Sequence, residues 1–143
     1  MLEAVGDLWE AHALGHWVAI TTNGITRRDG HAVMGRGVAK QAAERFPAFP
    51  EAFGSRLRDH GNHVHLFSRE RIITFPVKYH WRDPADLKLI RQSAQELQER
   101  FPFWKVPCYL VRPGCGNGRL SWDQVRPVIA PILDNRFIVV NRE

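Results

Sequence analysis

Cysteine is scarce in this sequence: there are two, Cys108 and Cys115. Two thiols seven residues apart make no disulfide framework and match no four-ligand zinc spacing, so both are expected as reduced thiols in a cytoplasmic protein. No apolar run approaches the roughly 18–20 residues that span a bilayer, and no membrane partner is expected. Met1 to Asp7 lack the basic-then-apolar order of a signal peptide. Internal repeats, low-complexity tracts and linkers are missing too. Acidic residues are the minority sign, 15 against 20 lysines and arginines, for a net charge of +5. That balance favours an anionic ligand or a nucleic acid, although the arginines are scattered rather than blocked.

What is present suits a single domain over residues 1–143, with 44% hydrophobic and 24% charged residues. Trp17 to Thr22 is a β-branched and aromatic run that predicts a strand. A loop from Asn23 to Gly35 comes next, with a small hairpin at Asp29-Gly30. Helix formers from Gly37 carry Val38, Ala42 and Phe46 at helical spacing, and Pro47 ends them. A second helix is expected from Pro50 to His60, then strands at His63–Phe67 and Arg71–Phe75 about a turn at residues 68–70. Asp83-Pro84 reads as the entry to an amphipathic helix over Ala85–Arg100. Pro107–Val111 predicts a strand. Ser121 and Gln124 form a capping-box pattern for a helix to about Asp134, and Phe137–Val140 is a last strand. Alternating strands and helices predict an α/β sandwich with a largely parallel central sheet.

Two glycine-rich stretches stand out. Gly35-Arg36-Gly37-Val38-Ala39 opens a helix, and Pro113 to Arg119 lies between a strand and a helix. Free backbone N–H groups and the helix dipole suit anions at such places, and two loops together suit a pyrophosphate. The alternative is that both merely turn the chain. Lys40 breaks a dinucleotide fingerprint, and the P-loop pattern is absent. His60, His63 and His65 have no cysteine nearby in sequence. They are expected on a solvated strand face, with no metal.

Four segments, Val5-Gly6-Asp7-Leu8, Ile20 to Asn23, Met34-Gly35-Arg36-Gly37-Val38-Ala39 and Gly114-Cys115-Gly116-Asn117-Gly118, resemble the macrodomain family in order and spacing. With Phe75-Pro76-Val77-Lys78-Tyr79-His80-Trp81-Arg82-Asp83, the likeness is to its terminal ADP-ribose glycohydrolases and the DarG-type antitoxin branch. The resemblance implies a three-layer α/β/α fold with a mixed sheet. It also implies ADP-ribose as ligand, no cofactor, and removal of ADP-ribose from thymidine in DNA.

Asp7, with Leu8 beside it, would then receive the adenine amino group, and Asn23 would lie near the distal ribose. Met34 to Ala39 would wrap one side of the diphosphate, and Pro113 to Arg119 the other. Lys78 would act at the anomeric carbon, as a nucleophile or as an electrostatic group. Tyr79, His80, Trp81 and Arg82 would stack a base and hold phosphates of single-stranded DNA. From sequence alone Asp7 also reads as a helix N-cap, and Asn23 as a turn residue. A cognate ADP-ribosyltransferase toxin is a further partner that the resemblance implies. One departure bears on chemistry: relatives that act on protein carry an acid in the second loop, where this chain has Gly118. A non-catalytic reader of ADP-ribose, or a hydrolase of ADP-ribosylated protein or of ADP-ribose 1″-phosphate, is the alternative.

Overall fold

The computed structural model describes residues 1–142. Its strands are β1 (Leu2–Val5), β2 (Trp17–Thr22), β3 (Leu66–Phe67), β4 (Ile72–Pro76), β5 (Cys108–Val111) and β6 (Phe137–Asn141). Its helices are α1 (Leu8–Ala13), α2 (Gly37–Arg45), α3 (Phe49–His60), α4 (Leu87–Arg100) and α5 (Trp122–Ile129). The sheet order is β1-β6-β5-β2-β4-β3. Every pairing is parallel except β3 with β4.

Alternation along β2 shows why the molecule has three layers. Val18 and Ile20 pack into a core with α1, α2 and α3, whereas Trp17 and Ala19 pack into a second core with α4 and α5. A strand covered on both faces must be apolar at successive positions, and β2 is. Ile20 is fully buried, so truncating it to alanine should cost about 2–5 kcal/mol. No helix among the described residues is long and apolar enough to cross a membrane.

Several local expectations need correction. The helix after Asp83-Pro84 begins later, because Asp86 is its N-cap and takes the Lys88 and Leu89 N–H groups. Ala85, expected inside that helix, instead donates its N–H to the Gly118 carbonyl at 2.9 Å. The strand at 63–67 shrinks to two residues, since side chains take the neighbouring amides. Val64 N–H donates to Glu96 Oε1 and His65 N–H to Thr74 Oγ1. His65 is therefore buried, not on a solvated face, and its ring bonds the Gly61 carbonyl. The last helix carries the expected capping box but stops at Ile129, after which bonds back to Ile129 tighten the chain into turns.

β1 has no counterpart among the strands expected from sequence. It is four residues long and exposed throughout, and it is held at the sheet edge by pairing Val5 with Asn141. The hairpin near Asp29-Gly30 is present, with a bridge between Thr26 and Ala32.

Candidate functional site

Parallel strands end together, so the segments that leave their carboxyl ends gather at a single edge of the sheet. Asp7 follows β1, Asn23 follows β2, Lys78 follows β4, the second glycine loop follows β5 and Arg142 follows β6. With the entrance of α2, these segments enclose a cleft of about 780 Å³. Its charged lining residues are one carboxylate, Asp7, and four cations, Arg36, Lys78, Arg112 and Arg142. Such a lining attracts an anion.

The two glycine loops meet. Gly37 has φ +57°, and a Cβ there would stand 3.2 Å from Asn117 Nδ2. α2 has no side-chain cap, and the amides of Gly37, Val38 and Ala39 have no protein acceptor among the described residues. In the second loop, bonds from Leu120 N–H to Gly114 O (3.0 Å) and from Arg119 N–H to Gly116 O (3.1 Å) fold the chain tightly. The Gly116 and Asn117 amides are left without a protein acceptor among the described residues. Open amides from both loops line one wall, the arrangement that suits a diphosphate.

Lys78 joins the walls. Its ammonium donates to the carbonyls of Asn117 (3.3 Å) and Trp81 (3.4 Å). Partial burial lowers its pKa below the usual 10.5, and the nearby positive charges of Arg119 and Arg36 lower it further, against the opposing pull of Asp83. Asp7 is the N-cap of α1, its Oδ1 accepting the Trp9 N–H at 2.8 Å; its Oδ2 accepts from Arg142, and the residue lines the cleft. Asn23 is a turn residue that also lines the cleft. Its side chain donates to Val33 O and accepts from Ile25 N–H, pinning the loop between β2 and α2.

Leu8, Gly35, Arg36, Val38, Ala39, Cys115 and Gly118 also line the cleft, as does Trp81 from the stretch after β4. Met34 and Pro113 are instead packed in the interior behind it. Tyr79, His80, Arg82 and Arg119 lie outside the lining. His80 stacks on Trp81 (centroids 5.5 Å apart), and the Arg82 guanidinium lies 4.9 Å from the Trp81 ring, so the three form a layer at the rim. Cys115 is a poor nucleophile, because burial raises its pKa.

Gly118 has a structural reason to be glycine. A Cβ there would overlap the Gly114 carbonyl oxygen and lie 2.8 Å from Ala85 Cβ. In this loop conformation a side chain at 118 would point into protein, so the position has no room for a carboxylate. Gly116 faces open space instead.

Sequence reasoning missed Gln41, Thr22, Arg112 and Arg142, all of which line the cleft. Gln41 accepts from Trp9 Nε1 at 2.8 Å. Arg112 lies over Trp122 at 5.1 Å, with its Nε buried and unbonded. The signal available was position: each of Thr22, Arg112 and Arg142 sits at or just past the carboxyl end of a strand. The histidines show the opposite case. Tertiary structure brings a carboxylate to them, Glu96, which lies 2.9 Å from His63 Nδ1. Its other bonds, to the Val64 N–H and Gln92, occupy both its oxygens.

The cleft lies where open α/β sheets bind ligands, at the carboxyl edge of the strands, between two glycine loops. No family model matches the chain. A curated relative from Thermus aquaticus, named DNA ADP-ribosyl glycohydrolase, is 30% identical over 112 residues, which are 71% of this chain and 31% of the relative. One of the same name from Mycobacterium tuberculosis is 31% identical over 106 residues, 65% of this chain and 29% of the relative. The chain thus spans about a third of the length of these relatives. Among solved structures, the macrodomain of Thermus aquaticus DarG superposes with a TM-score of 0.76 at 27% identity, over 99% of this chain and 97% of that one. Thermosipho africanus DarTG in complex with ADP-ribose gives a TM-score of 0.79 at 18% identity, covering 98% of this chain and 41% of that one. The chain belongs to the macrodomain family and is of its DarG type.

Proposed function

We propose that the chain binds ADP-ribose in this cleft and hydrolyses the glycosidic bond joining ADP-ribose to thymidine in DNA. The observation that carries the reading is the placing of Lys78 against the second glycine loop, beside a wall of open amides. The adenine would meet Asp7, the diphosphate the open amides of both loops, and the distal ribose would lie towards Asn23 and Lys78. The names of the relatives support this reading, as does the ADP-ribose in the neighbour from Thermosipho africanus.

The missing carboxylate favours DNA over serine- or arginine-linked protein. From those links the side chain departs from the anomeric carbon as a strongly basic oxygen or nitrogen that needs a proton in the transition state. The nitrogen of thymidine not bonded to deoxyribose is an imide, flanked by two carbonyls, and departs as a stabilised anion. A site without a general acid, an element worth ~10²–10⁴-fold elsewhere, suits that leaving group. Lys78 would act as the neutral amine at the anomeric carbon or, as ammonium, stabilise the departing charge. The rim layer of Trp81, His80 and Arg82 would hold a neighbouring base of single-stranded DNA. An ADP-ribosyltransferase toxin acting in the same cytoplasm would supply the modified DNA.

The test is release of ADP-ribose from a thymidine-ADP-ribosylated single-stranded oligonucleotide. No release, with Lys78→Ala indistinguishable from wild type, would overturn the hydrolase reading. Tight ADP-ribose binding without turnover of any conjugate would select a reader instead.

A further inference from the structure

Three consecutive carbonyls around Lys78 are all bonded. Val77 O accepts from the Asp86 N–H (2.9 Å), Lys78 O from Asn62 Nδ2 (3.1 Å) and Tyr79 O from the Gly24 N–H (3.2 Å). The Val77 N–H in turn donates to Thr22 O at 3.0 Å. Among the described residues the ammonium has two long contacts, at 3.3 and 3.4 Å. The lysine is therefore placed through its backbone more than through its head group. Of the bonds on that backbone, one comes from a side chain, that of Asn62.

Asn62 lies in the connection between α3 and β3, outside the cleft lining. It rests against Gly24, where an added Cβ would come within 2.9 Å of Nδ2 and 3.0 Å of Cγ. The glycine thus leaves space for the amide to reach Lys78. Asn62 Oδ1 is buried with no hydrogen-bond partner among the described residues. Leaving a buried acceptor unbonded is costly, and such a group in a native fold calls for a reason. Turning the amide over would set its oxygen against the Lys78 carbonyl oxygen. The orientation is therefore dictated by Lys78. The same connection is anchored next door, where His63 Nδ1 and the Val64 N–H both reach Glu96 at 2.9 Å.

We infer that Asn62 is a positioning residue for the reaction, holding the Lys78 carbonyl so that the side chain projects at the reacting carbon. The inference rests on the proposed role of Lys78 in hydrolysis. It is a claim about turnover rather than affinity, because Asn62 lines no part of the cleft.

Two variants test it. Asn62→Ala removes the amide, and Asn62→Leu keeps its approximate shape while removing both the donor and the unbonded oxygen. Turnover of the thymidine-ADP-ribosylated oligonucleotide is measured with Kd for free ADP-ribose and Tm. The expected result is a kcat lowered roughly 10- to 100-fold in both, as for a misplaced reacting group, with KM and Kd unchanged. For Asn62→Leu, Tm should hold or rise while kcat falls, which a purely structural role would not produce. Unchanged kcat in both variants would overturn the inference. So would kcat, Kd and Tm deteriorating together, which would make Asn62 a fold residue. A wild type that binds ADP-ribose but turns nothing over would instead overturn the hydrolase reading, and the positioning role with it.

Discussion

Arg142 bonds Asp7 in the cleft lining, Nη2 to Oδ2 at 2.5 Å, although the two residues are 135 positions apart in sequence. That bond and the Trp9 N–H hold the Asp7 carboxyl below the usual carboxylate range. The arginine side chain is 82% exposed, so the pair by itself adds little stability. Its importance is that Arg142 occupies the oxygen which would meet an adenine amino group. Asp7→Asn keeps a good N-cap, whereas Asp7→Ala loses one at about 1 kcal/mol. Both variants should weaken ADP-ribose binding, by roughly tenfold for loss of a charge-assisted hydrogen bond. Only Asp7→Ala should also lower Tm. Calorimetry and thermal melts on the pair would separate the two roles.

Glycines 116 and 118 should fail in opposite ways. Gly118→Asp, which would bring back a carboxylate, must force the loop away from the Gly114 carbonyl and Ala85. It should destabilise the fold by about 1–3 kcal/mol and gain no activity. Gly116→Ala faces open space, so Tm should stay put while ADP-ribose affinity falls, because a methyl group would stand where the diphosphate approaches the backbone. A Gly118→Asp protein of unchanged Tm and raised turnover would contradict the steric reason for glycine at 118.

Lys78→Ala should bind ADP-ribose within a few-fold of wild type and lose about 10²–10³-fold in turnover. The sign of the pH dependence separates the two chemical roles. The lysine pKa lies below 10.5 in the fold. A nucleophilic amine gives a rate that rises with pH through that pKa, and an ammonium gives one that falls. Arginine, which stays charged, would restore turnover only in the second case.

Acid should weaken the fold at Asp134. Burial opposes ionisation of this carboxyl, yet hydrogen bonds from Arg136 and Gln98 hold its pKa at about 2, against an ordinary 3.8. A depressed folded-state pKa means that the stabilisation is present above about pH 4 and is lost as pH falls towards 2. With 38% of the side chain exposed, screening limits it to about 1 kcal/mol. The difference in unfolding free energy between wild type and Asp134→Asn should therefore shrink from pH 5 to pH 2.

Short-range chemistry is legible in the sequence. The capping box at Ser121 and Gln124, the start of α2 after the first glycine loop and the apolar run of β2 each depend on neighbours within a few residues. So do the two glycine loops, whose composition already implies open amides. α4 starts later than the Asp83-Pro84 entry expected from sequence, because Asp86, three residues on, is the aspartate that reaches the Lys88 and Leu89 amides.

The remainder depended on distance in space. No local pattern could join Asp7 to Arg142, carry Glu96 to His63 or aim Asn62 at the Lys78 carbonyl, because each pair is separated by 16 to 135 residues. The glycine at 118 looked like a lost catalytic group until packing showed that the Gly114 carbonyl and Ala85 fill the space a side chain would need. Backbone preference and apolar period act over a turn or a strand, and they set which elements form and which loops stay bare. The parallel stacking of five strand ends turned those loops, one lysine and one aspartate into a single cleft.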